Sequence, residues 1–360
     1  MRILHVITDL NTGGAEKLMV DLLPRMNTSG CEVEICLFNG TSTPFLQQIK
    51  DAGIKIYIFG EKPNYYSPKY LWKLIKLAKR FNIVHTHNTS PQLFGAFASL
   101  WCKAKFCTTE HTTMSHHRVW WFEPMERWMY SRYAHVMCIS EATLQNMRAV
   151  AGKKVPNATI IPNGIDLSIY KNTIPVDRSS INTYSNSKVL LMVGRYSYQK
   201  DQATIIKAMT LLPMNVELWL AGYGETHDKL LILAKSLGVA DRVHLLGMRT
   251  DVPNLLRACD VVIQSSHIEG FGLAAVEGMA VGKPVVASEV QGLAQVVQGA
   301  GILFPHEDEK SLAEEVKHLL NDDVYYNKVA NRCKERADEY DIQRMVDGYK
   351  DIYNSLLSCR

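Results

Sequence analysis

The sequence predicts an α/β protein of two doubly wound parallel-sheet domains facing across a cleft. Three observations carry that prediction: short apolar runs alternate with longer helical patterns, the alternation breaks at one polar stretch and restarts, and glycine-rich turns follow several of the runs.

The first series comprises "RILHVIT", "VEICLFN", "IKIYIFG", "IVHTHN", "AKFCTTEH", "HVMCIS" and "TIIPNG"; the second comprises "VLLMVG", "VELWLAG", "RVHLLG", "VVIQSS", "KPVVAS" and "GILFP". Short, continuously apolar runs separated by helical segments read as strands of parallel sheets covered on both faces. The polar stretch "KNTIPVDRSSINTYSNSK" between the two series reads as a linker. The chain is therefore expected to divide into a first domain over 1–170, a linker over 171–187 and a second domain over 188–341. In the last stretch, 342–360, Met345, Tyr349, Ile352, Tyr353 and Leu356 recur at helical spacing, so a terminal helix is expected to pack back across the domain junction.

The 360 residues are 47% hydrophobic and 21% charged, the balance of a globular protein and not of a disordered or fibrous one. A formal charge of +4 gives no support to a nucleic-acid binder but tolerates anionic ligands. The eight cysteines form no C-x-x-C pair and read as reduced thiols of a cytoplasmic protein. "MRILHVITDLNTGG" reads as a first strand and not a signal peptide, and no run approaches the ~20 apolar residues of a spanning helix. Any membrane contact is expected to be peripheral, on the inner face of the cell membrane.

Ligands of such sheets bind beyond the carboxyl ends of the strands, where glycine turns lead into helices. "NTGGAEK" presents Gly13 and Gly14, "GYGE" opens on Gly222, and "EGFG" spans Glu269 to Gly272. If a helix begins near Gly272, Glu269 precedes its N-terminus and Glu277 lies in its second turn. The backbone amides between the two glutamates then favour a pyrophosphate, and the two carboxylates can accept sugar hydroxyls on either side. The plainer alternative is a capping carboxylate and a solvated helix residue. "VGRYSYQKD" sends Arg195 and Lys200 from the first strand of the second domain into a loop. A departing diphosphate gains negative charge that such cations stabilise; the plainer alternative is two solvated charges.

"GGAEK", "EHTT", "PNGID", "VGRYSYQKD", "AGYGE" and the E-x7-E spacing of Glu269 and Glu277 occur in order over nearly the whole chain. In these motifs the chain resembles the retaining glycosyltransferases of the GT-B fold, family 4, the group of bacterial capsule, lipopolysaccharide and exopolysaccharide transferases. The resemblance implies two Rossmann-like domains, the first binding the acceptor and the second a nucleotide-diphosphate sugar. It places Glu269 on the donor sugar, Glu277 on the ribose, Arg195 and Lys200 on the diphosphate, His111 near the donor sugar, and the amides of Gly270, Phe271, Gly272 and Leu273 in the sugar and phosphate cradle. Gly13 and Gly14 would approach the phosphates from the first domain. One departure is that Glu110 precedes His111 and Thr112 follows it, where many members carry an acidic residue or glycine after the histidine.

The implied reaction moves a hexose or N-acetylhexosamine, with retention, from a UDP-sugar in preference to a GDP-sugar. The implied acceptor is a saccharide hydroxyl, with a polyprenyl-diphosphate-linked saccharide as one form. No Asp-x-Asp ends a strand, and Arg195, Lys200 and helix N-termini supply positive charge, so neither metal nor cofactor is expected. Retention without an enzyme nucleophile fits same-face attack, in which a phosphate oxygen takes the acceptor proton. A nucleotide-sugar 2-epimerase of the same fold and a non-catalytic nucleotide-sugar-binding protein are the alternatives. A nicotinamide dehydrogenase is excluded because "NTGGAEK" replaces G-x-G-x-x-G.

His85 and His87 lie two apart on one face of a strand end, with His111, His116 and His117 following. Zinc ligation is conceivable, but no cysteine or carboxylate joins them at ligand spacing, which favours polar lining or hydrogen bonding. Two segments combine bases with aromatics: "SPKYLWKLIKLAKRFN" (67–82) and "SHHRVWWFEPMERWMYSRYA" (115–134). Such helices favour anionic lipid surfaces. For the first, an ordinary crossover helix with its apolar stripe on the sheet is the equal alternative.

Overall fold

The computed structural model describes residues 1–11, 13–28, 30–61, 64–111, 123–152 and 157–358. Trp120, Trp121 and the rest of the aromatic stretch 112–122 lie outside the described residues. The chain forms two units, Met1–Gly164 with Ile342–Arg360, and Ile165–Asp341.

In the first unit, β1 (Arg2–Ile7), β2 (Glu32–Leu37), β3 (Lys55–Ile58), β4 (Ile83–His87), β5 (Lys105–Glu110), β6 (His135–Cys138) and β7 (Ala158–Ile160) build one parallel sheet in the order β3-β2-β1-β4-β5-β6-β7. Its crossovers are α1 (Gly14–Thr28), α2 (Pro44–Asp51), α3 (Pro68–Ala78), α4 (Thr89–Ala98), α5 (Glu123–Ser131) and α6 (Glu141–Ala151). The two-residue period of a strand sends Ile3, His5 and Ile7 to one face and Leu4 and Val6 to the other. The isoleucines join the core around α1, and Leu4 and Val6 join the core around α3 and α4.

In the second unit, α7 (Leu167–Lys171) precedes β8 (Lys188–Val193), α8 (Gln202–Ala208), β9 (Val216–Ala221), α9 (His227–Ser236), β10 (Val243–Leu245), α10 (Val252–Ala258), β11 (Val261–Gln264), α11 (Leu273–Ala280), β12 (Val285–Ser288), α12 (Leu293–Val297), β13 (Ile302–Phe304), α13 (Glu309–Asn321) and α14 (Asp323–Asp338). The sheet is again parallel, in the order β10-β9-β8-β11-β12-β13. Each of the thirteen apolar runs named in the sequence overlaps one of these strands, and both sheets are doubly wound, as expected. The strand order reverses between β1 and β4 in one sheet and between β8 and β11 in the other, the positions where such sheets open a ligand crevice.

The expected linker is corrected by the structure. The division falls after Gly164 and not after Tyr170, and residues 171–187 are built into the second unit. Arg178 donates to the carbonyls of Ala258 and Ser187 and to the Asp260 carboxylate at 2.6–3.0 Å, Trp219 donates to Thr183 at 2.8 Å, and Ile181 is buried. A polar segment whose polar groups find partners can pack as firmly as an apolar one, so composition gave a false boundary.

The last helix, α15 (Ile342–Ser358), belongs to the first unit and buries Met345, Val346, Tyr349, Ile352 and Tyr353 in the core beside α1. Each such side chain contributes roughly 1.5–3 kcal/mol of apolar burial.

Candidate active site

The loops that carry Lys200 and Glu269 leave the carboxyl ends of β8 and β11, the two strands at the reversal of the second sheet. Both loops are anchored from below. Gln264 donates to the Val193 carbonyl at 3.3 Å, Ser265 to the Asp201 carbonyl at 2.7 Å, and Ser288 to the Ser266 carbonyl at 2.7 Å. The amides of His267 and Ile268 both donate to the Gln199 carbonyl, at 2.9 and 3.3 Å, which ties the two loops together through their backbones.

On that scaffold the Lys200 ammonium pairs with the Glu269 carboxylate, which also accepts from Ser266 at 3.4 Å. Both side chains are partly shielded, with 24% and 14% of their surfaces exposed. The Lys200 stem lies across Gly194, immediately before the exposed Arg195. Gln202 holds the Arg195 carbonyl at 2.9 Å, and Asp201 caps α8 through the Thr204 amide and hydroxyl. Burial raises the Asp201 pKa against those hydrogen bonds and the nearby His267.

The turn at Gly222 lies flat on the same loop: a Cβ at Gly222 would stand 1.9 Å from the Gly194 carbonyl oxygen. The Gly222 amide in turn donates to Gly247 at 2.9 Å, which brings "LLGMRTD" beside it, where Arg249 grips Asp251 through two bonds of 2.8 and 2.6 Å.

Helix α11 does begin at Leu273, with Gly272 in a left-handed conformation (φ 97°) as its N-cap and no side-chain cap. The first amides of an uncapped helix favour an anion. Phe271 is buried edge-on against Tyr340 at 5.3 Å and pins the turn. Glu277 lies one turn further, half-buried, and accepts from Tyr170 of α7 at 2.9 Å. The structure thus brings Lys200, Glu269, the Gly270–Leu273 turn, Gly222 and the Arg195 loop to the tips of three neighbouring strands, β9, β8 and β11.

Two residues of this region escaped the sequence reading. Tyr170 sat beside a supposed linker, where nothing signalled a partner for Glu277. Gly292, after β12, approaches so closely that a Cβ would fall 2.3 Å from the Glu269 carbonyl oxygen. The "QG" that precedes α12 was its only signal.

In the first unit Gly13 and Gly14 form the turn from β1 into α1, where the Gly13 carbonyl accepts from the Lys17 amide at 2.9 Å. Asn88, just beyond β4, donates to Glu16 at 3.3 Å, so the turn sits at the reversal of this sheet as well. His111, just beyond β5, contacts His87 at 3.0 Å (Nε2 to Nδ1), and His87 contacts His5 at 3.0 Å (Nε2 to Nδ1). His85, on the same face, is bonded to Tyr353 and, at 2.7 Å, to Thr109. Glu110 faces the opposite side, where it accepts from Tyr130 at 2.7 Å and Gln92 at 3.3 Å.

Burial pushes His5 down to about 3 and His111 to about 4, and holds His85 and His87 well below the usual imidazole value with help from their neighbours. All four are neutral at physiological pH.

Among the described residues, two clusters bring three ligand-type atoms within 4.8 Å: His5 with His85 and His87, and His267 with His306 and Glu307. In the first, His85 and His87 stack at 4.3 Å, whereas His5 and His87 meet edge to edge, with 10° between their planes and 5.2 Å between centroids. Imidazole lone pairs lie in the ring plane, so stacked rings do not aim at one point, and the nitrogens bond each other and hydroxyls instead. In the second, His267 lies 2.7 Å from His306, 3.5 Å from Glu307 and 3.6 Å from Asp201.

Residues 12–169 match the family described as Glycosyltransferase Family 4, and residues 173–340 match Glycosyl transferases group 1. With a domain of each kind in the two units, the chain is a glycosyltransferase of the family 4 kind, with the GT-B fold. It is 30% identical over 185 residues to the lipopolysaccharide core biosynthesis glycosyltransferase LpsE of Rhizobium meliloti, covering 51% of this chain and 54% of that protein. It is 24% identical over 340 residues to a Campylobacter jejuni N,N'-diacetylbacillosaminyl-diphospho-undecaprenol alpha-1,3-N-acetylgalactosaminyltransferase, covering 87% and 89%. The crystal structure of Anabaena HepE in complex with UDP and glucose superposes with a TM-score of 0.88 at 23% identity, covering 99% of this chain and all of that one.

Proposed function

We propose that the chain is a retaining, metal-independent glycosyltransferase of bacterial surface polysaccharide synthesis. It moves a hexose or N-acetylhexosamine from a UDP-sugar to a hydroxyl of a lipid-linked saccharide. The observation that carries this reading is the Lys200–Glu269 pair beside the uncapped start of α11, at the reversal of the second sheet.

In the proposed mechanism Lys200 and Arg195 hold the diphosphate with the α11 amides, so the charge that grows as the sugar–phosphate bond breaks is met by groups already in place. Glu269 accepts hydroxyls of the sugar, and its pairing with Lys200 orients both. Glu277, steadied by Tyr170, accepts the ribose hydroxyls. The acceptor oxygen attacks from the face that the diphosphate leaves, and a phosphate oxygen takes its proton. His111 is assigned to the sugar and the Gly13–Gly14 turn to the phosphates, as the family resemblance implies.

Two comparisons favour the substrates chosen. HepE is solved with UDP and glucose, and the Campylobacter relative carries a diphospho-undecaprenol acceptor in its name. Peripheral membrane contact is supported by α3, which buries Leu74, Ile75 and Leu77 on the sheet yet exposes Trp72 among Lys69, Lys73 and Lys76. Among the described residues no helix is long and apolar enough to cross a membrane.

The test is product analysis with a UDP-sugar panel, a diphospho-undecaprenol-linked sugar and EDTA present. Release of UDP in proportion to acceptor, with the anomeric configuration of the donor kept in the product, supports the reading. Conversion of the nucleotide sugar without an acceptor would identify an epimerase instead, and no turnover would leave a binding protein.

A further inference from the structure

We propose that His5 and His87 are positioning residues that fix the tautomer of His111, so that His111 meets its ligand as an Nδ1–H donor and not as a base. The inference deepens the assignment of His111 to the donor sugar and rests on it, but the tautomer itself can be read without turnover.

The argument starts from the strands. β1 and β4 pair in parallel with His5 opposite His85, and the two-residue period puts His5, His85 and His87 on one face. His87 then reaches His5 with one nitrogen and His111 with the other, both at 3.0 Å. His85 takes no part in this chain, because its nitrogens are bound to Tyr353 and Thr109, and Thr109 is bound in turn to Tyr349 at 2.9 Å. The tyrosines of α15 therefore hold the cluster from behind.

A neutral imidazole carries one N–H, and each of the two contacts needs one hydrogen. The three rings are consequently linked. If His5 is protonated on Nδ1 it donates to His87 Nε2, His87 must donate from Nδ1 to His111 Nε2, and His111 keeps its hydrogen on Nδ1. In the opposite arrangement every ring carries Nε2–H. His5 Nε2 decides between the two, since it is fully buried and has no hydrogen-bond partner. Among backbone groups an orphaned buried N–H is rarer than an under-satisfied acceptor; extended to imidazole, that ordering makes His5 Nε2 the bare nitrogen and gives all three rings the Nδ1–H form. Desolvation keeps the rings neutral, which the linkage requires.

Free imidazole side chains in water favour Nε2–H, so the chain imposes the minority form on His111. Nδ1–H can donate to a sugar hydroxyl or a departing phosphate oxygen. It cannot accept the proton of the acceptor hydroxyl, consistent with a phosphate oxygen as the proton's destination.

Two-bond proton–nitrogen spectra of the full chain labelled with 15N-histidine, assigned by single substitutions, test the inference. The expected result is an Nδ1–H pattern for His5, His87 and His111. His5→Phe removes the donor at the far end and should return His111 to a mixture richer in Nε2–H, with a several-fold fall in turnover at unchanged donor KM. His5→Asn, whose amide can replace Nδ1–H, should restore the native pattern. An Nε2–H pattern at His111 in the native protein overturns the inference without any variant. An unchanged His111 tautomer in folded His5→Phe overturns it too.

Discussion

Lys200 and Glu269 form an ion pair that joins the loop after β8 to the loop after β11. The pair spans the one place in the second sheet where the strand order reverses, so the residues read from the sequence as a cation for phosphate and an acid for sugar are direct neighbours. A pair with both side chains partly shielded holds its geometry better than an exposed one, and it sets two opposite charges where a donor has a diphosphate on one side and hydroxyls on the other.

Lys200→Ala and Glu269→Ala should each reduce kcat on the order of 10²-fold or more, because each removes a group that acts on the changing charge or on the sugar. The stability loss should be small, about 1 kcal/mol, since the pair sits at a turn and is partly solvated. Steady-state kinetics beside chemical unfolding checks both halves. Combined, the substitutions should cost less than the sum of the singles, because each alone strands its partner.

Tyr170→Phe removes the hydrogen bond to Glu277 and nothing else of volume. It should raise the donor KM several-fold with kcat near normal, because a typical hydrogen bond contributes a net of about 0.5–1.5 kcal/mol and this one acts on the ligand only through Glu277. Equal losses in kcat would instead place Glu277 at the reacting bond.

Gly292→Ala should impair turnover although position 292 is assigned no contact with substrate. A Cβ there meets the carbonyl oxygens of Glu269 and Gly270 at 2.3 and 2.7 Å, and the φ of 80° already disfavours a side chain. The turn has to move, and Glu269 with it. Initial rates and the unfolding midpoint should both fall.

The fold was legible because both sheets are parallel and their central strands are buried on both faces, so many strands are continuous apolar runs such as "VLLMVG" or "VVIQSS". The pairing of Lys200 with Glu269 was legible only as proximity at a crevice. Its partners were not, because Ser265, Ser266 and Gln199 act through loop geometry that no spacing rule encodes. The linker was misread because Arg178 hides its role: three hydrogen bonds to Ala258 and Asp260, some 80 residues on, turn a polar segment into part of a unit. The histidine cluster was half legible. His85 and His87 announced a shared face, but His5, 80 residues earlier than His85, joins them only through the β1–β4 register.

The buried imidazoles predict acid sensitivity. His5 and His111 titrate near 3 and 4 in the folded chain against 6.5 when unfolded, with His85 and His87 also depressed. The unfolded chain therefore binds more protons below pH 6.5, so the stability from the neutral cluster is complete above that pH and is lost as the pH falls toward 4. Each ring contributes up to ~1.4 kcal/mol per pH unit in that window. Unfolding midpoints between pH 7.5 and 5 should fall steeply, and His5→Phe should lower the slope by about one proton.

Trp72→Ala should weaken co-sedimentation with anionic vesicles at low salt while leaving turnover on a soluble acceptor unchanged, since Trp72 is 71% exposed on α3 and is assigned no part in the site. Wild-type protein that ignores such vesicles would remove the membrane contact from the account.

Calorimetric titration of the protein with UDP-sugars and GDP-sugars tests the gripping of a sugar diphosphate by the second unit most directly. Saturable, 1:1 binding of a UDP-sugar by the native chain is predicted, weakened at least tenfold by Lys200→Ala and by Glu269→Ala in folded protein. Native chain that binds no nucleotide sugar, or variants that bind as tightly as it does, would contradict the account.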